Sequence, residues 1–114
     1  MSFNREMLKG NTTVLVLSLL NREPMYGYQM IKEIKNKSNG IFSFKEGTLY
    51  PLLHSLESKG VVESYWWGES GSRQRKYYQI TTEGQLLLEE KKKEWALFSS
   101  TVDNILLGVA FVWI

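Results

Sequence analysis

Apolar residues recur along this chain in more than one rhythm, and each rhythm predicts a different element. Between residues 5 and 21 the run "VLVLSLL" is too continuous to separate strand from helix by period alone. Met7, Val14 and Leu17 nevertheless carry one helical face back to the start of the segment, which predicts a helix. "NREP" breaks the pattern, because Pro24 disfavours helix at Glu23. In "MYGYQMIKEIKNKS" Tyr26, Met30 and Ile34 return every four residues with Ile31 beside them, so a second amphipathic helix is expected. Lys32, Lys35 and Lys37 lie largely off that stripe, and Gly40 in "SNG" suits a left-handed cap. A short apolar connector, "IFSFK", follows.

The next segment, "GTLYPLLHSLESKG", places Leu49, Leu52, Leu53 and Leu56 at i, i+3, i+4 and i+7, a single buried stripe. Pro51 fits best in a first helical turn, where its missing N–H costs nothing, so a helix is expected to start near Thr48 as N-cap and to end at Gly60. "VVESYWW" and "KYYQI" are β-branched and aromatic, as strands are, and the glycine-bearing "GESGSRQR" between them makes a hairpin. Thr81 or Thr82 can cap a last helix from about residue 83. On it Leu88, Trp95, Val102 and Val109 are seven apart, and Phe98, Ile105 and Val112 form the companion row. That is a heptad-like seam, interrupted only by Lys91, and pairing with a second copy is the simplest way to cover it.

The expected order is thus helix, helix, helix, hairpin, helix. This is a mainly α fold with a small β-hairpin (α+β), arranged as a winged helix-turn-helix over residues 1–81 with a dimerisation helix over 82–114. In that arrangement the second helix of the pair is sized for the DNA major groove. Its polar positions Thr48, Tyr50, His54, Ser55 and Ser58 are then expected to face outward, offering hydroxyls, an imidazole and a phenol to phosphates and base edges. A face that is merely solvated carries Glu and Lys more often. Arg73, Arg75 and Lys76, near the tip of the hairpin, can reach a phosphate backbone. The rival class is a winged helix that binds only protein; such a module should not bind DNA even at low salt.

Bulk properties agree with this picture. The 114 residues suit one domain with a modest core, for which a partner subunit is a reasonable expectation, and 43% apolar with 23% charged residues is globular rather than disordered composition. The net charge of +2 is uneven. Residues 1–81 hold 11 basic and 7 acidic side chains, and residues 82–114 hold 3 and 5, so it is the first part that suits a polyanion. Cysteine is absent, which excludes disulfides and thiolate chemistry and fits a reducing, cytoplasmic setting. His54 is the only histidine, leaving no metal-ligand cluster and no assembled catalytic group, so neither an enzyme nor a cofactor is expected. "GESGS" lacks the Gly-Lys-Ser/Thr ending of a phosphate loop. The amino terminus has no signal-peptide core, and the apolar end "ILLGVAFVWI" is half the roughly twenty residues a bilayer span needs, so no membrane association is expected.

"MYGYQMIKEI", "GTLYPLLHSLESKG", "RKYYQIT" and "TTEGQLLLEE" together resemble the PadR family of bacterial transcriptional regulators, in the right order from residue 5 to about 105. The short length is similar to the subfamily with a single carboxy-terminal helix. The resemblance implies a homodimeric repressor on a pseudo-palindromic double-stranded operator. It implies that Tyr50 and its neighbours contact DNA with wing residues such as Arg73 and Arg75 on the backbone. The seam of the last helix is what places Leu88, Trp95, Phe98, Val102 and Ile105 between subunits. Some members respond to phenolic or other planar aromatic compounds held between subunits. Here a two-fold axis near Trp95 would bring two indoles together. They would either pack on each other or leave a flat gap for such a guest, with Met7, Leu8 and Leu88 around it.

Overall fold

The computed structural model describes residues 5–108. The first helix, α1 (Arg5–Leu20), buries Val16, Leu17, Leu19 and Leu20 at its carboxy-terminal end, and this apolar run is the centre of the core. After "NREP" the chain is extended for two residues, β1 (Met25–Tyr26), before α2 (Gly27–Lys37) begins with Tyr26 as N-cap. This strand was not expected: Tyr26 was counted on the helical stripe. It forms because Met25 and Tyr26 find antiparallel partners, Tyr78 and Tyr77, that lie about fifty residues later. Met30 and Ile34 of α2 are buried as their spacing requires.

α2 ends in a Schellman arrangement: the Gly40 N–H donates to the Lys35 carbonyl and the Asn39 N–H to the Asn36 carbonyl. Asn39 takes the left-handed conformation there and Gly40 follows with positive φ, so the cap is one residue earlier than expected. α3 (Glu46–Ser58) closes the same way at Gly60. Its start differs from expectation. Lys45 is the N-cap, Thr48 lies inside the helix, and Pro51 stands beyond the first turn, where it removes the bond residue 51 would give to Gly47. Leu49, Leu53 and Leu56 are fully or almost fully buried.

β2 (Val62–Trp67) and β3 (Arg75–Ile80) pair antiparallel, and β1 adds to the far edge of β3, giving the sheet order β1-β3-β2. In the loop between β2 and β3 the Ser72 N–H donates to the Glu69 carbonyl, with Gly71 at the positive φ such a turn needs. One face of the sheet carries Val62 and Tyr78 into the core. The other stacks Tyr65 on Tyr77 at 5.8 Å, flanked edge-on by Tyr26 and Trp67.

α4 (Thr82–Leu107) is 26 residues long, and the Thr81 side chain accepts from the Gly84 N–H at its start. Its first turns dock on the body. Leu88 is 1% exposed in the same core cluster as α1, α2 and α3, so its expected place between subunits and beside a ligand is overturned: a single chain already covers it. From Trp95 onward α4 leaves the core, and the large apolar residues Phe98, Ile105, Leu106 and Leu107 are exposed. Val109 and Val112 of the expected seam lie outside the described residues. Among the described residues no helix is long and apolar enough to cross a membrane.

Candidate nucleic-acid interface

The period of α3 sorts its side chains into three sets. Leu49, Leu53 and Leu56 face the core, while Thr48, Pro51, His54, Ser55 and Ser58 are exposed on the opposite side. Tyr50 stands between the sets. It was expected on the outward stripe, but its ring lies against the backbone of Gly27 at the start of α2 and is half-buried there. A Cβ on Gly27 would sit 2.6 Å from the Tyr50 hydroxyl oxygen, so only glycine lets the two helices approach in this way.

Opposite α3 stands the β2–β3 hairpin. Ser64 of β2 donates to the Glu57 carboxylate at 2.5 Å, which ties the last turns of α3 to the hairpin. Between the two runs a groove of about 470 Å³. It brings together Tyr50 and His54 from α3 with Arg73, Arg75 and Lys76 from the wing, five of the eight residues expected to meet DNA. Thr48, Ser55 and Ser58 do not line it; they project from the exposed side of α3. The groove also recruits Tyr26, Tyr28, Trp66 and Gln74, which sequence reasoning passed over. Trp66 was recoverable: once the hairpin register is known it is the cross-strand partner of Lys76, and it is 64% exposed.

None of Arg73, Arg75 or Lys76 has an ion-pair partner among the described residues. Lys76 and Arg75 rest instead on the rings of Tyr78 and Tyr26. Their charge is therefore uncompensated in the groove and available to an anion. The Tyr50 phenol is pushed above its ordinary value by burial, reinforced by Glu46 and Tyr78; Tyr78 is pushed the same way by burial and then by Glu57. Both phenols thus stay protonated donors at neutral pH.

A pH dependence follows. In the unfolded chain these phenols ionise near pH 10, whereas the folded chain holds their protons to higher pH. Stability is therefore full below about pH 10 and falls as pH rises through the folded values. Melting temperatures should fall above that point, and more shallowly in Tyr50→Phe and Tyr78→Phe. An equal alkaline decline in the variants would remove these phenols as the cause.

Gly27 gives a second test. In Gly27→Ala the three atoms nearest the new methyl all belong to the end of the Tyr50 side chain, so the ring swings aside and the fold persists at a cost of roughly 1–3 kcal/mol. Duplex binding should drop about as far as in Tyr50→Ala. Unchanged binding would show that Tyr50 is a packing residue only.

On the other side of the molecule, a groove of about 360 Å³ runs between α1 and α4, lined mainly by apolar residues that include Leu8, Val14, Leu15, Phe42 and Trp95. Leu8 and Trp95 both line this groove, which lies within one chain and not between two. The Met7 side chain lies outside those described, and Leu88 is in the core.

Comparison with known proteins agrees with this fold. The sequence model of the transcriptional regulator PadR-like family matches residues 16–90. A protein of Lysinibacillus sphaericus with no assigned function is 36% identical over 104 residues, covering 91% of this chain and 95% of its own length. A transcriptional regulator from Clostridium thermocellum has a similar structure, with a TM-score of 0.80 and 32% identity over 95% of this chain and 99% of that one. So has a PadR-like transcriptional regulator from Bacillus cereus, with a TM-score of 0.78 and 34% identity over 89% of this chain and 96% of that one.

Proposed function

Because the chain belongs to the PadR-like family of transcriptional regulators, we propose that it acts as a DNA-binding repressor, working in the cytoplasm as a homodimer on a pseudo-palindromic operator. The observation that carries this is the groove between α3 and the wing. A helix with an exposed, small-polar face stands beside three cations that no carboxylate neutralises among the described residues. Exposed α3 residues Thr48, His54, Ser55 and Ser58 enter the major groove and read base edges. Tyr50 donates from the flank of the helix. Arg73 and Lys76 meet phosphates, which supply affinity without sequence information. Residues 1–81 do the reading, and the distal half of α4 holds two copies at the spacing of two half-sites.

Selection of bound duplexes from a random library tests this. The expected product is an inverted repeat with half-sites about one helical turn apart. Failure of the protein to bind any duplex at low salt would leave the protein-only winged helix standing.

A second function rests on the apolar α1–α4 groove. A planar aromatic compound there would stack on Trp95 and change the separation of the two reading helices, releasing DNA. Titration with planar aromatic dyes is expected to quench tryptophan emission in the wild type. Trp95→Ala should lose most of that response, although Trp66, Trp67 and Trp113 remain; equal quenching in both proteins would exclude the site.

A further inference from the structure

The wing's two arginines are held differently. Arg73 lies in the loop between β2 and β3 and touches no ring, carboxylate or hydrogen-bond partner among the described residues. Arg75, the first residue of β3, has its guanidinium carbon 4.6 Å from the centre of the Tyr26 ring. Tyr26 is itself fixed: it pairs with Tyr77 in the sheet, packs edge-on against that ring at 5.4 Å, and is the N-cap of α2. Tyr77 is in turn stacked on Tyr65. Arg75 is thus seated on a ring anchored in the same short segment that starts α2, while it lines the groove beside Tyr50 and His54.

We infer that Tyr26 is a positioning residue: it holds the Arg75 guanidinium at the mouth of the α3–wing groove, so that Arg75 meets DNA as an oriented donor while Arg73 acts as a loose phosphate tether. This rests on the DNA-binding function proposed above. An arginine free to sample its rotamers loses that freedom when it binds, and one already resting on a ring loses less. The ring contact leaves the N–H donors of Arg75 unengaged, since none has a hydrogen-bond or ion-pair partner among the described residues. A fixed planar fork can discriminate between acceptor geometries, whereas a mobile cation reports only charge. Tyr26 also ties the wing to the first helix of the DNA-reading pair, because one residue serves both β1 and the α2 cap.

A double-mutant cycle tests this, using the most enriched duplex from the random selection and a scrambled duplex beside it. Tyr26→Phe keeps the ring and should bind like the wild type. Tyr26→Leu should weaken binding to the selected duplex by roughly threefold to tenfold, the range expected for loss of one cation–π contact. In an Arg75→Ala background the same Leu substitution should change nothing further. Arg73→Ala should weaken both duplexes alike and lower the salt slope by about one, while Arg75→Ala should weaken the selected duplex more than the scrambled one. Equal, additive losses from Tyr26→Leu with and without Arg75 would overturn the inference. A wild type that binds no duplex would instead bring down the DNA-binding function and the inference with it. The DNA-free protein gives an independent measurement. The Arg75 δ-protons should show an upfield ring-current shift that Tyr26→Phe keeps and Tyr26→Leu abolishes; ordinary arginine shifts in the wild type would show that the arginine is not seated.

Discussion

Gly84→Ala is expected to lower the melting temperature by roughly 10–20 °C, the largest loss of stability from a methyl on any glycine of this chain. Gly84 is the third residue of α4 and is buried. A Cβ there would fall far inside the van der Waals contact distance of the Val61 carbonyl oxygen and 2.6 Å from Cγ1 of Ile80. The contrast with Gly27 lies in what must yield. At Gly27 a side-chain tip can move, but at Gly84 the obstacle is a backbone carbonyl already engaged as the acceptor of the Thr81 N–H at 3.2 Å. Thr81 also donates its hydroxyl to the Gly60 carbonyl at 2.7 Å and accepts from the Gly84 N–H at 3.1 Å. An alanine therefore pushes the start of α4 off the α3–β2 junction, loses the cap, and withdraws Leu88 from the core together. Overpacking of this kind costs about 3 kcal/mol or more, and each kcal/mol moves the midpoint of a domain this size by several degrees. Thermal unfolding followed by circular dichroism at one fixed protein concentration measures it, with exposed Thr82→Ala as the neutral control. A Gly84→Ala midpoint within a few degrees of wild type would mean that α4 does not dock as described.

This glycine also shows what the sequence made legible and what it did not. "TTEG" announces a helix start, because a threonine N-cap is a local hydrogen-bond signal, and Thr81 does cap α4. That the fourth residue must be glycine is a tertiary fact, decided by a carbonyl more than twenty residues earlier. The same division runs through the fold. α2 and α3 were readable because one face of each repeats apolar residues at helical spacing, and the hairpin because two aromatic strands flank a glycine-bearing loop. β1 was not readable: two residues carry no period, and Tyr26 continues the α2 stripe as well as it begins a strand. Only the distant Tyr77 and Tyr78 decide between the two. Leu88 failed for a related reason. A seven-residue spacing says that a helix face is covered but not by what, and the body of the same chain covers the first turns of α4.

The membership of the candidate site was more legible than the placement of its side chains. Residue types on α3 and the wing pointed to nucleic acid, and the fold gathers Tyr50, His54, Arg73, Arg75 and Lys76 around one groove. The assignment of Tyr50 to the outward stripe missed its phase: at 100° per residue it falls on the flank, near Glu57, and the absence of a side chain at Gly27 is what lets its ring settle there. Trp66 was missed and Tyr26 placed on a helix stripe because their positions depend on strand register, which no local pattern encodes.

Val102→Asp combined with Ile105→Asp is expected to convert a dimer into monomers and to weaken duplex binding by roughly two orders of magnitude or more. At 100° per residue Trp95, Phe98, Val102, Ile105 and Leu106 fall on one side of α4. Phe98 is 60% exposed and Ile105 74%, and Trp95 and Phe98 already lean on each other with ring centres 6.1 Å apart. Burying a large apolar side chain contributes about 1.5–3 kcal/mol, so leaving this side in water forgoes several such contributions. Two helices of about 39 Å laid side by side would recover them. Aspartates at 102 and 105 place two charges per chain in the middle of that contact, while Lys91, Lys92 and Lys93 of the same helix lie about two and a half to four turns away. Folding of the single chain should be largely retained, because its core is built from Val16, Leu17, Met30, Leu49, Leu53, Tyr78 and Leu88 and includes neither position. Duplex binding falls because a palindrome read by one subunit loses the effective concentration that joins the two half-sites. Sedimentation equilibrium with circular dichroism separates the outcomes: a folded monomer with weakened binding is the expected result, and a variant that stays dimeric would place Val102 and Ile105 outside the contact between subunits.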